Sequence, residues 1–270
     1  MNRRSYTLDS TKGKVPLHLD IASLWDFYYT HHLGAVAQRN LQRTMRTIWP
    51  DVKGANVVGY GFSAPLLRPF QKEAQRTLCF MPEAQGAGVW PRDGLSATAL
   101  VRPGELPLPN GFVDRLVLTH AVESEPRLDA LMEEVWRILA PEGRVLIVAA
   151  NRQGLWARSD NTPFGIGRPF SARQLDQLLR DHNLTPESHT GAHYFPPSNK
   201  RFWLRTSGAI ERFGRRVAAQ RFAGALLVEA SKQVFALPRN GAKARAGGLL
   251  APIKGLAPKP VKPVGASNRD

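Results

Sequence analysis

The six residues Val145-Leu-Ile-Val-Ala-Ala150 contain no polar side chain. A run that short, bounded by Gly143-Arg144 and Asn151, fits a strand buried on both faces, and such strands lie in parallel sheets with helices packed on either side. The preceding segment supplies one of those helices. Over Arg127–Leu139, Leu128, Leu131, Met132, Val135, Ile138 and Leu139 fall on one stripe at helical spacing while Glu133, Glu134 and Arg137 face away, and Pro141-Glu142-Gly143 stops it.

The same alternation runs through most of the chain. Ile21–Ile48 reads as one helix and Asn56–Gly61 as a strand entering a glycine turn; a helix follows from Ala64, with Ser63 as its cap and Pro65 and Pro69 limiting its course. Thr77–Met81, Thr98–Val101 and Val113–Val122 read as strands. Ser171 caps a helix running to His182, and Ser188–Phe195 and Leu226–Leu237 are closing strands. The pattern predicts an α/β fold with a doubly wound, mostly parallel sheet whose ligands sit at the carboxyl ends of its strands. Residues 1–20 are expected to be flexible and 21–237 to form the domain. Residues 238–270, rich in Gly, Ala, Pro and Lys, bury too little to offset chain entropy and are expected to be a disordered basic tail.

Charge narrows the choice of partner. Lys and Arg number 37 against 22 Asp and Glu, a formal charge of +15, which suits an anionic partner such as nucleic acid or a membrane surface. Part of the excess stands in the tail, where the cations from Arg239 to Arg269 face only Asp270. Lys200–Ala219 adds more, with Trp203, Ile210, Phe213 and Val217 along one helical face and Arg201, Arg205, Arg212, Arg215 and Arg216 opposite, a composition suited to RNA or an anionic bilayer. A solvated charged face is the plainer account. Nucleic-acid contact through the tail and residues 200–219 is one expectation, and the reading of function does not rest on it. No run approaches the roughly 18 apolar residues of a membrane span, and no signal-peptide stretch opens the chain, so the expected location is cytoplasmic. The lone Cys79 allows neither an internal disulfide nor a cysteine-clustered metal site and reads as buried filler.

Gly59-x-Gly61-x-x-Ala64 has the context a nucleotide-binding turn requires, a strand before and a helix after. Gly59 permits a tight turn, Gly61 permits close backbone approach, and the helix start offers free N–H groups. A turn that binds nothing has the same pattern. The acidic residue expected some 20 positions on, to grip a ribose, is represented by Glu83, past Pro82.

Together with that turn, three later stretches resemble the class I S-adenosylmethionine-dependent methyltransferase family. They are Glu105-Leu-Pro-Leu-Pro-Asn-Gly-Phe-Val-Asp114, Leu118-Thr-His-Ala-Val-Glu123, and Leu131 through Trp136-Arg-Ile-Leu-Ala-Pro-Glu-Gly143 into the strand ending at Asn151. The resemblance covers residues 50–155 and, more loosely, 25–237. It implies a seven-stranded Rossmann-like sheet that binds S-adenosyl-L-methionine across its carboxyl edge and passes the methyl group to an acceptor the motifs leave unidentified, with RNA or an RNA-associated protein favoured by the charge. It further implies donor contacts from Gly59, Tyr60 and Gly61 at the methionine portion, Glu83 at the ribose, Glu105 and Leu106 beside the adenine, and Thr119 and His120 beside the reacting centre. Glu123 would lie beside them, and Asn151, ending the following strand, would face the same cleft.

Three positions depart from the family pattern. Val57-Val58 stand where an acidic residue commonly precedes the turn, Met81-Pro82 at the ribose position, and Arg102-Pro103 near the adenine. Each missing anionic acceptor is worth roughly 1.5–3 kcal/mol. They motivate a second reading, a catalytically silent methyltransferase-like domain that binds RNA or a partner. A nicotinamide oxidoreductase would rest on the glycine turn alone.

Methyl transfer from a sulfonium is an in-line displacement for which the protein supplies alignment and water exclusion. A general base is needed only where the acceptor must lose a proton. His120, with an ordinary pKa near 6.5, is the expected base, the alternative being a pocket-lining role. Glu123 is expected either to position an acceptor amine or to cap the helix at Arg127. The loop 151–170 exceeds the roughly 12–15 residues of plain connections and interleaves Trp156, Phe164 and Phe170 with Arg152, Arg158 and Arg168. It is expected to be a substrate-side lid, with a loop packed on its own side chains as the alternative.

Overall fold

In a computed structural model that describes residues 19–217 and 220–233, the strands form one seven-stranded sheet. They are β1 (Asn56–Gly61), β2 (Arg76–Pro82), β3 (Thr98–Val101), β4 (Val113–Thr119), β5 (Leu139–Ala150), β6 (Thr185–Ala192) and β7 (Ala225–Ser231), in the order β3-β2-β1-β4-β5-β7-β6. The first five pair in parallel, and β7 runs antiparallel between β5 and β6. The doubly wound, mostly parallel Rossmann-like sheet expected from the sequence is the one observed.

Successive side chains of the central strands feed two separate cores, as the two-residue period of a strand requires. Val57, Val117, Leu146 and Val148 face helices α1 (Ile21–Thr30), α2 (His32–Ile48) and α3 (Ala64–Leu67). Val58, Leu116, Leu118, Val145 and Ile147 face α4 (Leu128–Ile138) and α5 (Ala172–Asp181). A sixth helix, α6 (Arg201–Val217), leans on the first core through Leu204 and Ile210. Its existence agrees with the helical spacing read over 200–219.

Several boundaries differ from expectation for local reasons. The single helix read over Ile21–Ile48 is two, broken at His31, whose backbone is extended. The two halves fold closely together: a Cβ on Gly34 would lie 1.7 Å from the Phe27 carbonyl oxygen, so only glycine permits the elbow. The helix after the glycine turn lasts one turn and passes into a 3-10 turn at Arg68–Phe70, with prolines 65 and 69 removing two backbone donors. Ser63 does not cap it. Its hydroxyl donates to the carbonyls of Tyr60 and Val117. Ser171 does cap α5, in a reciprocal box with Gln174. The tail from 238 and the last residues of the strand read to Leu237 lie outside the described residues.

From β1 the chain runs outward through β2 and β3, then crosses back to place β4 on the other side of β1. That reversal puts a topological switch point at the carboxyl ends of β1 and β4, where a sheet of this kind offers its ligand crevice.

Candidate cofactor and acceptor site

The turn leaving β1 is strapped to β4. Gly61 pairs with Thr119, the Phe62 N–H donates to the Thr119 carbonyl at 2.9 Å, and the Ser63 hydroxyl reaches the Val117 carbonyl at 3.1 Å. Gly61 has φ +77°, and a Cβ there would meet the Thr119 oxygen at 2.3 Å. A Cβ on Gly59 would meet Ser63 and Leu67. Both glycines thus accommodate the protein's own neighbours.

Helix α1 crosses directly above. It is tied down at its start by the Ile21 N–H on the Gln85 carbonyl, in the loop after β2. Midway, Trp25 and Tyr28 pack on the buried ring of Phe62, at centroid distances of 6.2 and 5.6 Å. Near its end the Tyr28 hydroxyl hydrogen-bonds His120 Nε2 at 2.7 Å. The carboxyl ends of β2, β1 and β4 are each reached by this one helix.

His120 begins a buried polar cluster. It has φ +51°, uncommon for a residue with a side chain and typical of strained functional positions. Burial pushes its pKa down to about 3, so it is neutral near pH 7. Glu123, equally buried, accepts from the Ala150 N–H at 2.9 Å through Oε1 and has no partner on Oε2; burial raises its carboxyl to about 7. Tyr28 is raised well above its ordinary value by burial and by the nearby Glu123. Phe164 packs between two imidazoles, 4.8 Å from His120 and 5.0 Å from His193. His193 is the functional-type residue that sequence reasoning missed. It follows β6 with φ +63°, is 1% exposed, stacks on Trp156 at 4.5 Å, and has no hydrogen-bond partner on either ring nitrogen. Burial, and secondarily His120, bring it down to about 3 as well.

The residues named from sequence divide into two sets. Thr119, His120 and Glu123 come together at the end of β4, with Phe164 and Trp156 packed behind them and the Thr119 hydroxyl unpartnered. Others lie elsewhere. Tyr60 is buried in the core on the α4 side. Glu83 is exposed and pairs with Arg102 at 3.2 Å. Glu105 is exposed, and the Leu106 N–H donates to Glu134, whose partner Arg137 also holds the Leu106 and Leu108 carbonyls. Arg158 is exposed. Asn151 turns its amide onto the carbonyls of Gln220, Arg221 and Ala223. Trp156, Phe164 and Phe170 are all buried; Trp156 packs on Phe164, His193 and Phe195 and donates its indole N–H to the Phe195 carbonyl, so the loop 151–170 turns these rings into the protein, against residues from beyond β6.

Residues 47–147 match the family model described as a methyltransferase domain. The likeness of fold is broader. A methyltransferase from Thermotoga maritima superposes with a TM-score of 0.57 at 12% identity, over 79% of this chain and 96% of that one. A methyltransferase from Archaeoglobus fulgidus gives 0.54 at 15%, over 79% and 100%. A chain from a Haloferax volcanii complex between a methyltransferase and its activator gives 0.54 at 15%, over 80% and 99%. No curated protein matches the sequence. Sheet order and crevice thus define a Rossmann-like α/β protein. More particularly, residues 47–147 are similar to a methyltransferase domain, and no acceptor is defined by these likenesses.

S-adenosyl-L-methionine is the methyl donor such a domain implies, and the residues present do not make room for it in this arrangement. The hollow beside the cluster, lined by Leu19, His120, Glu123, Ser124 and Ile166, has a cavity volume of about 10 Å³, room for about one water molecule. Small-molecule sites commonly span about 300–1,000 Å³. Phe62 and Tyr28 cover the turn, and the one carboxylate suited to a ribose, Glu83, is engaged by Arg102.

Proposed function

We propose that the domain works as a methyltransferase whose donor site is roofed by α1, which lifts from the strand ends to open it. The observation that carries this reading is the position of Tyr28, fixed to His120 over the crevice where a doubly wound sheet takes its ligand. Within the cluster Glu123 is the group suited to hold or release a proton near neutrality, since its pKa of about 7 matches that task and its Oε2 is free of partners. His120, at about 3, is too weak a base in this arrangement and serves to position Tyr28.

The finer reading takes RNA or an RNA-associated protein as the acceptor, in a cytoplasmic setting. Its support is the charge of +15. The buried aromatics of the loop 151–170 add nothing to it. Transfer of labelled methyl groups from S-adenosylmethionine into total RNA or total protein tests it, and label in neither removes it.

The small hollow and the engaged Glu83 favour a second reading, the catalytically silent module. Calorimetric titration of S-adenosylmethionine into the wild type and Tyr28→Gly separates the two. A roofed enzyme binds about tenfold or more tightly once Tyr28 is removed, because the competent state is no longer a minor one. Absence of heat in both proteins leaves the silent module.

A further inference from the structure

We infer that the outer face of α6 is a docking surface for an anionic lipid bilayer. Arg201, Arg205, Arg212 and Arg216 are exposed and fall within about 60° of one another around the helix; Phe202 and Phe213 lie about 20° apart on the adjoining strip. The two phenyl rings are 65% and 67% exposed, far beyond what a helix packed against a core requires. None of these arginines makes an ion pair among the described residues, and the single carboxylate of the helix, Glu211, is buried. Arg39 and Arg43, exposed on the neighbouring α2, extend the cationic strip, with the Arg43 guanidinium beside Gly208.

The face is held firmly from within. Glu211 accepts the His193 and Tyr194 N–H groups at 3.0 and 2.9 Å, Arg215 donates to Thr44, and Gly214 lies against the Tyr194 ring. An apolar strip beside an uncompensated cationic one, on a rigid helix, is the arrangement that lies in a bilayer interface: phenyl rings enter the acyl boundary while guanidinium groups reach lipid phosphates. RNA would use the arginines and stack bases on the rings one at a time, whereas a bilayer takes both rings, roughly 16 Å apart along the axis, into one apolar layer.

Co-sedimentation of the full chain with vesicles tests this. The protein pellets with vesicles of equal parts phosphatidylcholine and phosphatidylglycerol, and not with phosphatidylcholine alone. Phe202→Ser with Phe213→Ser weakens that binding at least about tenfold, and Arg205→Glu with Arg212→Glu at least about thirtyfold. Both pairs are surface changes and retain the wild-type melting temperature. Binding unchanged by the phenylalanine pair overturns the inference, because charge alone then accounts for it. So does the opposite pattern, in which no vesicle is bound and single-stranded RNA is held through the same arginines.

Discussion

The hydroxyl of Tyr28 stands 2.7 Å from Nε2 of His120 across 92 residues of chain, with both side chains buried. Tyr28→Phe removes one partner and strands the imidazole nitrogen away from water. The expected loss is about 1–3 kcal/mol of stability in urea denaturation at neutral pH, and a change near zero would mean that the contact contributes nothing.

Acid and base act in opposite directions on this cluster. His120 and His193 stay neutral in the folded protein to about pH 3, whereas the unfolded chain protonates them from about 6.5 downward. Below 6.5 the unfolded state binds more protons, so each histidine removes up to roughly 1.4 kcal/mol per pH unit. Glu123 keeps its proton to about 7 in the folded protein against 4.5 otherwise. Its contribution is full below 4.5 and is lost as the pH rises through 7. Glu123→Gln, neutral throughout, gains on the wild type by about 3 kcal/mol between acid and mildly alkaline conditions, as read by denaturation at a series of pH values.

Gly61→Ala places a methyl group 2.3 Å from the Thr119 oxygen, at a backbone φ of +77°. A loss of about 3 kcal/mol or more is expected, visible as a lower melting temperature in the absence of any ligand. A variant as stable as the wild type would show that the turn has room to spare.

Asn151→Ala deletes the donor that serves three carbonyls and the acceptor of the Gln153 N–H. The expected loss is about 2–3 kcal/mol. Unchanged stability together with lost methyl transfer would assign this amide to the acceptor instead.

The strands were legible because their signal is local. The apolar run at Val145–Ala150 and the stripe on Leu128–Ile138 need no knowledge of distant chain, whereas β2, β3 and β4 follow one another with no helix between them, and their places in the sheet are set by pairing. What was not legible depends on pairings remote in sequence. The glycine pattern was visible, but that Gly61 faces Thr119 follows only from the β1–β4 register. Trp156 and Phe164 could be counted in their loop, while their direction is set by His193 and Phe195 from beyond β6. His193 itself carries no local signature: two antiparallel strands deliver it to the cluster. The proline-limited α3 shows the reverse case, where a cue present in the sequence shortened the element as far as its chemistry required.

Helix α1 is anchored to residues 21-to-85, 25-to-62 and 28-to-120, three tethers on three different strand ends. None of those strands draws a ladder hydrogen bond from it. The sheet can therefore stay whole while this one segment comes away, a sub-global opening with its own, smaller free energy. In hydrogen–deuterium exchange its amides would trade with solvent ahead of those of β1, β4 and β5, and a ligand that enters beneath it would slow or hasten that trade according to whether it seats the helix or holds it off.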